Sequence, residues 1–519
     1  MSNNKLLINI LQSDPDFSSL CESYKKGCVP ISVNGICESA RPLFCSALCE
    51  NTQKKPLILV SDEKQAYALQ TKLTAFWDSV LVFPSRDFVF DSLSAFSKNF
   101  EQERISVLTR LLKNDYSAII AVPDAVMQYT PPVQTLKDSV FTLKHGATES
   151  VDFLVARLVE MGYFRCETVE GAGQFSHRGG IVDIFSPSKV YPCRLDFWGD
   201  EIDSMGIFDV VTQRRIENVD EYECIPTNEL IYKKDVFAKL VFEIEDMLDN
   251  KSISEKTRVE LTRDLDSAKS QIFPLGKDKY FSLVYEKKTT IFDYMQSCIT
   301  IIFDTKRVFE RARAFSWQNG QTLEAMINDG RTIYKNAAAA LFENELVAKL
   351  AKDSVSFDYF FENQKEIDYK SNYNILTKTV GSCNGSIEQL VADIKEYISL
   401  ERQTVVLMCA NERAAENMIA VLCEKQINAI RAVGNFEKGV VNIIISPSKS
   451  DLDGFELPKC RFTLISDGEE SLKTDSLRRK FRASKFKKSE KIVSYADLSI
   501  GDYVVHANHG IGIYAGIAG

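Results

Sequence analysis

Histidine is scarce in this chain. There are four in 519 residues. His506 and His509 stand three apart, but no cysteine or carboxylate pattern completes a zinc set around them. Cysteine is not scarce, with thirteen residues, yet none forms a Cys-x-x-Cys pair, even where Cys21, Cys28, Cys37, Cys45 and Cys49 crowd the start. An odd count without a secretion signal reads as reduced, buried thiols in the cytosol. Long apolar runs are missing as well: none reaches the ~18 residues of a membrane helix. The opening "MSNNKLLINILQSDPDF" is broken by Asp14 and Pro15, which leaves it too short for a signal-peptide core. A net charge of −9 excludes a global basic field of the kind that advertises nucleic acid. G-x-S-x-G, H-E-x-x-H and a G-x-G-x-x-G after a strand are all missing.

What the chain does have is ordinary globular composition, 45% hydrophobic and 26% charged, with material for several domains. Over the first ~140 residues, continuous apolar runs alternate with amphipathic stretches. "VPISVN", "PLILVSDE", "SVLVFPS" and "SAIIAVPD" predict a buried parallel sheet of α/β type. Near Phe141 the pattern changes. A short helix, "SVDFLVARLVEMGY", leads into a β-rich block from about Cys166 to Pro226, where Gly199-Asp200 is a two-residue turn suited to a hairpin. From about Asn228 to Gln364 the chain reads as mainly helical, including "RTIYKNAAAALFENELVAKLAK", with one apolar strand, "CITIIFD". A second α/β block is expected from about Tyr373 to Asp467. The segment from Lys473 to Lys491 then carries nine Lys/Arg against Asp475 and Glu490. It reads as an exposed basic linker, with contact to DNA phosphates as the rival reading. A new β unit opens in "DLSIGDYVVHANHGIGIYAGIAG", and so few strands are not expected to be stable alone.

An α/β start invites a search for a phosphate-binding loop, which requires G-x-x-x-x-G-K-[ST]. The candidate, "ISVNGICESARPLF", has Gly35 as its single glycine, and Ala40, Arg41 and Pro42 stand where lysine and hydroxyl should be. "LGKD" at Gly276-Lys277 lacks the upstream glycine and the hydroxyl. Asp62-Glu63 superficially resembles a magnesium-binding pair, but without a phosphate cradle it reads as a solvated strand end. The residues predict an NTPase-like shape without NTPase chemistry.

In the β-rich block, strand alternation puts Cys193, Leu195 and Phe197 of "CRLDFW" on an apolar face and Arg194, Asp196 and Trp198 on the other. Arg178, before "GIVDIF", is placed to join them. Arg and Trp are frequent at interface hot spots. The structural alternative is an Arg–Asp pair with a stacked aromatic. In "GQFSHRGGIVDIF", Gly179 and Gly180 are expected to shape a strand entry rather than a flexible nucleic-acid tail.

Here the residues carry a resemblance. "GQFSHRGGIVDIFSPSKVYPCRLDFWGDEIDSMGIFDVVTQRRIENVDE" resembles the UvrB-homology module of bacterial transcription-repair coupling factors, with Met205 where the pattern prefers Ile or Leu. "GDYVVHANHGIGIYAGI" resembles the start of the same family's CarD-like RNA polymerase-interaction domain. Both motifs in this order favour the coupling factor over UvrB. The resemblance implies an α/β multidomain chain. A UvrB-like, degenerate helicase-type α/β domain (1–140 and 227–350) would carry an inserted α+β UvrA-binding domain (141–226). A second α/β domain (365–470), the basic linker (471–493) and a truncated CarD-like β unit (494–519) would follow.

It also implies a cytoplasmic, non-catalytic module that recruits UvrA of nucleotide excision repair to RNA polymerase stalled at DNA damage. UvrA would be bound by Arg178, Arg194 and Trp198, the last at a position that is usually Phe. Replacing both arginines with alanine is expected to abolish binding without unfolding the domain. RNA polymerase, through its β subunit, would be a partner of the incomplete C-terminal unit. DNA contact would be weak or indirect, and no membrane is involved. UvrB's DNA-clamping hairpin would fall in "FPSRDFVFDSLSAFSKNFEQER", a segment too short for it. The ATP-driven translocase, with its ATP and Mg, and an autoinhibitory domain would lie beyond residue 519. This chain would need no cofactor. The alternatives are a UvrB-like ATP-dependent helicase subunit, which needs nucleotide binding, and an RNA polymerase-binding transcription regulator.

Overall fold

The computed structural model describes residues 3–88, 98–232, 235–250, 253–274, 276–285, 287–295, 297–330, 340–360, 366–381, 387–399, 403–446, 452–466, 503–506 and 510–513. The four apolar runs near the start form strands Ile31–Asn34, Lys55–Leu59, Val80–Phe83 and Ala118–Ala121. They lie in one seven-stranded sheet with Cys298–Phe303, Ser354–Asp358 and Ser371–Asn374. Every pairing in it is parallel. The central strands are apolar throughout because helices cover both faces; Ile58, Ile120, Ile301 and Val355 are fully buried.

Two strands of this sheet depart from the sequence reading. Ser354–Asp358 falls in the stretch read as helical, and the strand holding Tyr373 completes the first sheet instead of opening the second block. The segment Ser354–Asp358 has too few apolar residues to announce a strand, and the burial of Ser354 and Ser356 has no local sequence signal. Ser371–Asn374 is an edge strand with alternating half-buried and exposed residues, so it needs little apolar content.

The second sheet runs Lys378–Thr379, Phe455–Leu457, Phe462–Ser466, Thr404–Cys409, Val441–Ile445, Ala429–Arg431. Its last four strands are parallel. Val406, Phe455, Phe462 and Leu464 join the same apolar cluster as the first sheet.

Residues 141–224 leave the first unit and return to it. The strand by which the chain departs, Phe141–Lys144, pairs antiparallel with the strand by which it comes back, Glu221–Cys224, so entry and exit are tied together. Between them lies a six-stranded sheet in the order Arg215–Asn218, Glu201–Phe208, Cys193–Trp198, Ile181–Ile184, Gln174–Arg178, Phe164–Arg165. It has its own core: Phe175, Val182, Ile184, Cys193, Leu195 and Met205 face Leu154 and Leu158 of the helix Val151–Glu160. Spaced four apart, the two leucines form one stripe of that helix, and each contributes roughly 2 kcal/mol by burial. Met205 is 1% exposed in this core, where an unbranched side chain fills the place of Ile or Leu.

A buried ionic cluster holds the exit of this insert against the first unit. Glu229 accepts from Arg86 Nε at 2.7 Å and from Arg104 Nε at 2.8 Å. Arg86 also grips Asp278 through Nη1 and Nη2 at 2.9 and 2.7 Å. The Glu229 amide donates to Glu101 Oε1 at 2.8 Å. All four side chains in the Arg86–Arg104–Glu229–Asp278 set are at most 4% exposed. A charge taken out of water needs such pairing. The segment read as too short for a DNA-clamping hairpin begins and ends in these two arginines' neighbourhood, and its middle, 89–97, lies outside the described residues.

Twelve described cysteines are free of disulfides. Burial pushes the Cys193 thiol up to about 12 and the Cys21 thiol up to about 11, which makes them poor nucleophiles. No described helix is long and apolar enough to cross a membrane. Of the C-terminal β unit, a hairpin pairing Tyr503–His506 with Gly510–Ile513 is described; the basic stretch 473–491 lies outside the described residues.

Candidate functional site

The outer face of the inserted sheet brings together the residues that the sequence singled out. Arg178 ends the strand Gln174–Arg178, and a two-residue Gly179-Gly180 turn reverses the chain so that Arg178 pairs with Ile181. The two glycines therefore close a hairpin instead of merely leading into a strand. Gly179 takes the left-handed conformation at φ +60°, and a Cβ on Gly180 would stand 3.0 Å from the Phe197 carbonyl oxygen, which explains why both positions are glycine. The next turn, Gly199-Asp200, joins Trp198 to Glu201 as the hairpin reading predicts.

Register then sets the constellation. Ile181 lies opposite Asp196, and Asp183 opposite Arg194. With period two, Arg178, Ile181, Asp183, Arg194, Asp196 and Trp198 share one face, and Cys193 and Leu195 point into the core. The central group is Asp183, which sequence reasoning missed. It is fully buried, and it accepts from Arg194 Nε at 2.7 Å, Arg194 Nη2 at 2.9 Å and Arg178 Nη2 at 3.3 Å. The hydrogen bonds to Asp183 raise the Arg194 pKa above its already high ordinary value, so that its charge is permanent. Asp196, the acid that sequence alternation had placed beside Arg194, instead accepts from Ser204 Oγ at 2.6 Å and Arg215 Nη2 at 2.7 Å.

The face is covered on one side and open on the other. Arg194 lies over the Phe208 ring, 4.7 Å from its centroid. Gln213 Nε2 donates to the Val169 carbonyl at 3.2 Å, and Val169 and Phe208 are fully buried. Two loops thus cap the Arg194 side. The other side is exposed: Trp198 at 82%, the Arg178 side chain at 55% and Ile181 at 38%. A mostly exposed tryptophan beside an isoleucine and an arginine has the composition of an interface anchor. Ile181 could have been found from the alternation of "GIVDIF", which puts it on Asp183's side.

The strand-end loop at Gly35 is the place where a nucleotide phosphate would sit in a fold of this kind. Its amides are engaged. The N–H of Gly35 donates to the Tyr359 carbonyl at 3.2 Å, that of Ile36 to the Asp358 carbonyl at 3.2 Å, and that of Cys37 to Thr377 Oγ1 at 2.7 Å. Arg41 forms a two-pronged pair with Asp304 and lies over the Phe303 ring. A cavity of about 590 Å³ opens beside the loop, but the acids Glu38, Asp304, Glu310 and Asp358 line it along with Arg41, Lys306 and Arg307, so positive charge is not in excess. A phosphate cradle needs free amides and excess positive charge, and these residues do not fit one. Asp62, the first half of the magnesium-like pair, caps the helix Glu63–Leu73 by accepting from the Gln65 amide at 2.9 Å. Glu63 accepts from Ser85 Oγ at 2.7 Å. Among the described residues, no group of three or more His, Cys, Asp or Glu is arranged to hold a metal.

The fold and face define a class. Residues 141–230 match the UvrB interaction domain, and residues 498–518 match the CarD-like/TRCF RID domain. At the level of whole chains, the protein resembles the N-terminal part of transcription-repair-coupling factors. It is 28% identical to the transcription-repair-coupling factor of Bacillus subtilis over 98% of this chain and 44% of that protein. It is 26% identical to that of Staphylococcus epidermidis over 99% of this chain, and 27% to that of Staphylococcus aureus over the same share, again with 44% of each relative covered. The chain thus spans less than half the length of the curated relatives it matches.

Proposed function

We propose that this chain is the part of a cytoplasmic transcription-repair coupling factor that recruits UvrA to RNA polymerase stalled at damaged DNA. The observation that carries the proposal is the open side of the inserted sheet. Arg178, Ile181 and Trp198 stand exposed there on a domain with its own core. Arginine offers a fork for a partner carboxylate, and tryptophan a large apolar surface. In this reading the chain itself docks and does not catalyse, and ATP-driven translocation belongs to the remainder of the full-length protein. RNA polymerase is the second proposed partner, on the strength of the match at residues 498–518.

The test is a titration of the chain against purified UvrA. The wild-type chain binds saturably. Arg178→Ala and Trp198→Ala each weaken binding by about 2 kcal/mol or more, the scale of an interface hot spot, while their thermal unfolding matches wild type. Unchanged affinity in both variants would sink the assignment. The rival reading, a UvrB-like helicase subunit, requires nucleotide binding. The engaged amides around Gly35 disfavour it, and millimolar Mg-ATP is expected to leave the melting temperature unchanged, where a bound ligand would raise it.

A further inference from the structure

The two arginines of the docking face are in different situations. Arg194 commits Nε and Nη2 to Asp183, lies over Phe208 and has a side chain only 23% exposed. Arg178 gives one N–H to the same carboxylate at 3.3 Å and is 55% exposed. Asp183 sits between them, fully buried, on the strand that separates the two arginine-bearing strands.

We propose that Asp183 is a positioning residue for the docking face, and that Arg178 is the arginine that reaches an acidic group of the partner. This rests on the UvrA reading above. A guanidinium has five N–H donors, so one hydrogen bond to Asp183 steers Arg178 and leaves most of its fork for the partner. Ordering a long side chain at an interface costs free energy, and a side chain held in advance loses less of its freedom on binding. One carboxylate shared by two guanidiniums also leaves the cluster with net positive charge, suited to an acidic partner. Arg194 then anchors Asp183. Without it, the buried carboxylate would keep only the longer contact to Arg178. Asp196, the other acid on the face, is already engaged by Ser204 and Arg215.

The experiment is a kinetic double-mutant cycle on the chain with immobilised UvrA. Asp183→Asn preserves shape and removes the charge. It is expected to speed dissociation about three- to tenfold, the effect of releasing one side chain. Association should be as fast as wild type or faster, because the net charge facing an acidic partner rises. A merely destabilised fold would not produce that split. In an Arg178→Ala background, Asp183→Asn should change dissociation no further. Wild-type dissociation in Asp183→Asn, or effects of the two substitutions that multiply, would overturn the proposal. If Asp183→Asn does not fold, the pair Asp183→Asn/Arg194→Gln removes the buried charge together with its main partner; dissociation is again expected to be about three- to tenfold faster, with association as in wild type because the net charge of the face is unchanged. Failure of the docking reading itself is distinct, since the wild-type chain would then not bind UvrA at all.

Discussion

Replacing Arg194 with alanine separates two roles that the sequence treats alike. Arg194 supplies two of the three hydrogen bonds to a fully buried carboxylate. Its loss is expected to cost roughly 3 kcal/mol of stability, the scale of breaking a buried pair from one side. Arg178→Ala, at an exposed position with one long contact, should stay within about 0.5 kcal/mol of wild type. Urea unfolding of the two variants checks this, and equal stabilities would contradict it. For Arg194 this prediction departs from the expectation that both arginines can be removed without unfolding the domain. Much of the face was legible in the sequence: alternation in "CRLDFW" separates Arg194, Asp196 and Trp198 from Cys193 and Leu195. Asp183 was not, because which acid meets which arginine depends on register between strands. A single sequence gives each strand's two sides but not its alignment with the next.

Gly35 ends the first strand with φ +88°, and a Cβ there would lie 2.5 Å from the Ile375 carbonyl oxygen. The loop it belongs to is bound into the sheet by Thr377, whose hydroxyl donates to the Gly35 carbonyl at 2.8 Å. In this structure the loop joins the end of the first strand to the segment that follows the strand Ser371–Asn374. Gly35→Ala is expected to destabilise the chain by about 2–3 kcal/mol, combining backbone strain with the backbone clash. A thermal melt within a degree of wild type would refute the structural role. At this scale the sequence was informative where strands are central and apolar, and silent where they are not. "PLILV" and "CITIIF" declare themselves. "SVSFD" lies buried beside the first strand but carries serines, and "SNYN" needs no apolar stripe because it lies at an edge.

Among the described residues, a parallel seven-stranded sheet and a mixed six-stranded sheet share an apolar core, and a separately cored β domain is inserted into the first. The insert is fastened twice: by pairing of its entry and exit strands, and by the Arg86–Arg104–Glu229–Asp278 cluster. The face carrying Arg178 and Trp198 is therefore presented from a base fastened at two places, which suits the docking role proposed above. The alternation of elements made the α/β architecture and the β insert readable from sequence, whereas the buried cluster joins residues up to 192 positions apart and had no local signal. In the function proposed above, UvrA is bound by one side of one sheet. Amide hydrogen exchange of the chain, with and without saturating UvrA, tests it most directly. Protection is expected to concentrate in peptides covering residues 174–184 and 193–204, with the two α/β sheets unchanged. Protection at the Gly35 loop or the second α/β sheet, with none at Arg178 and Trp198, would contradict it.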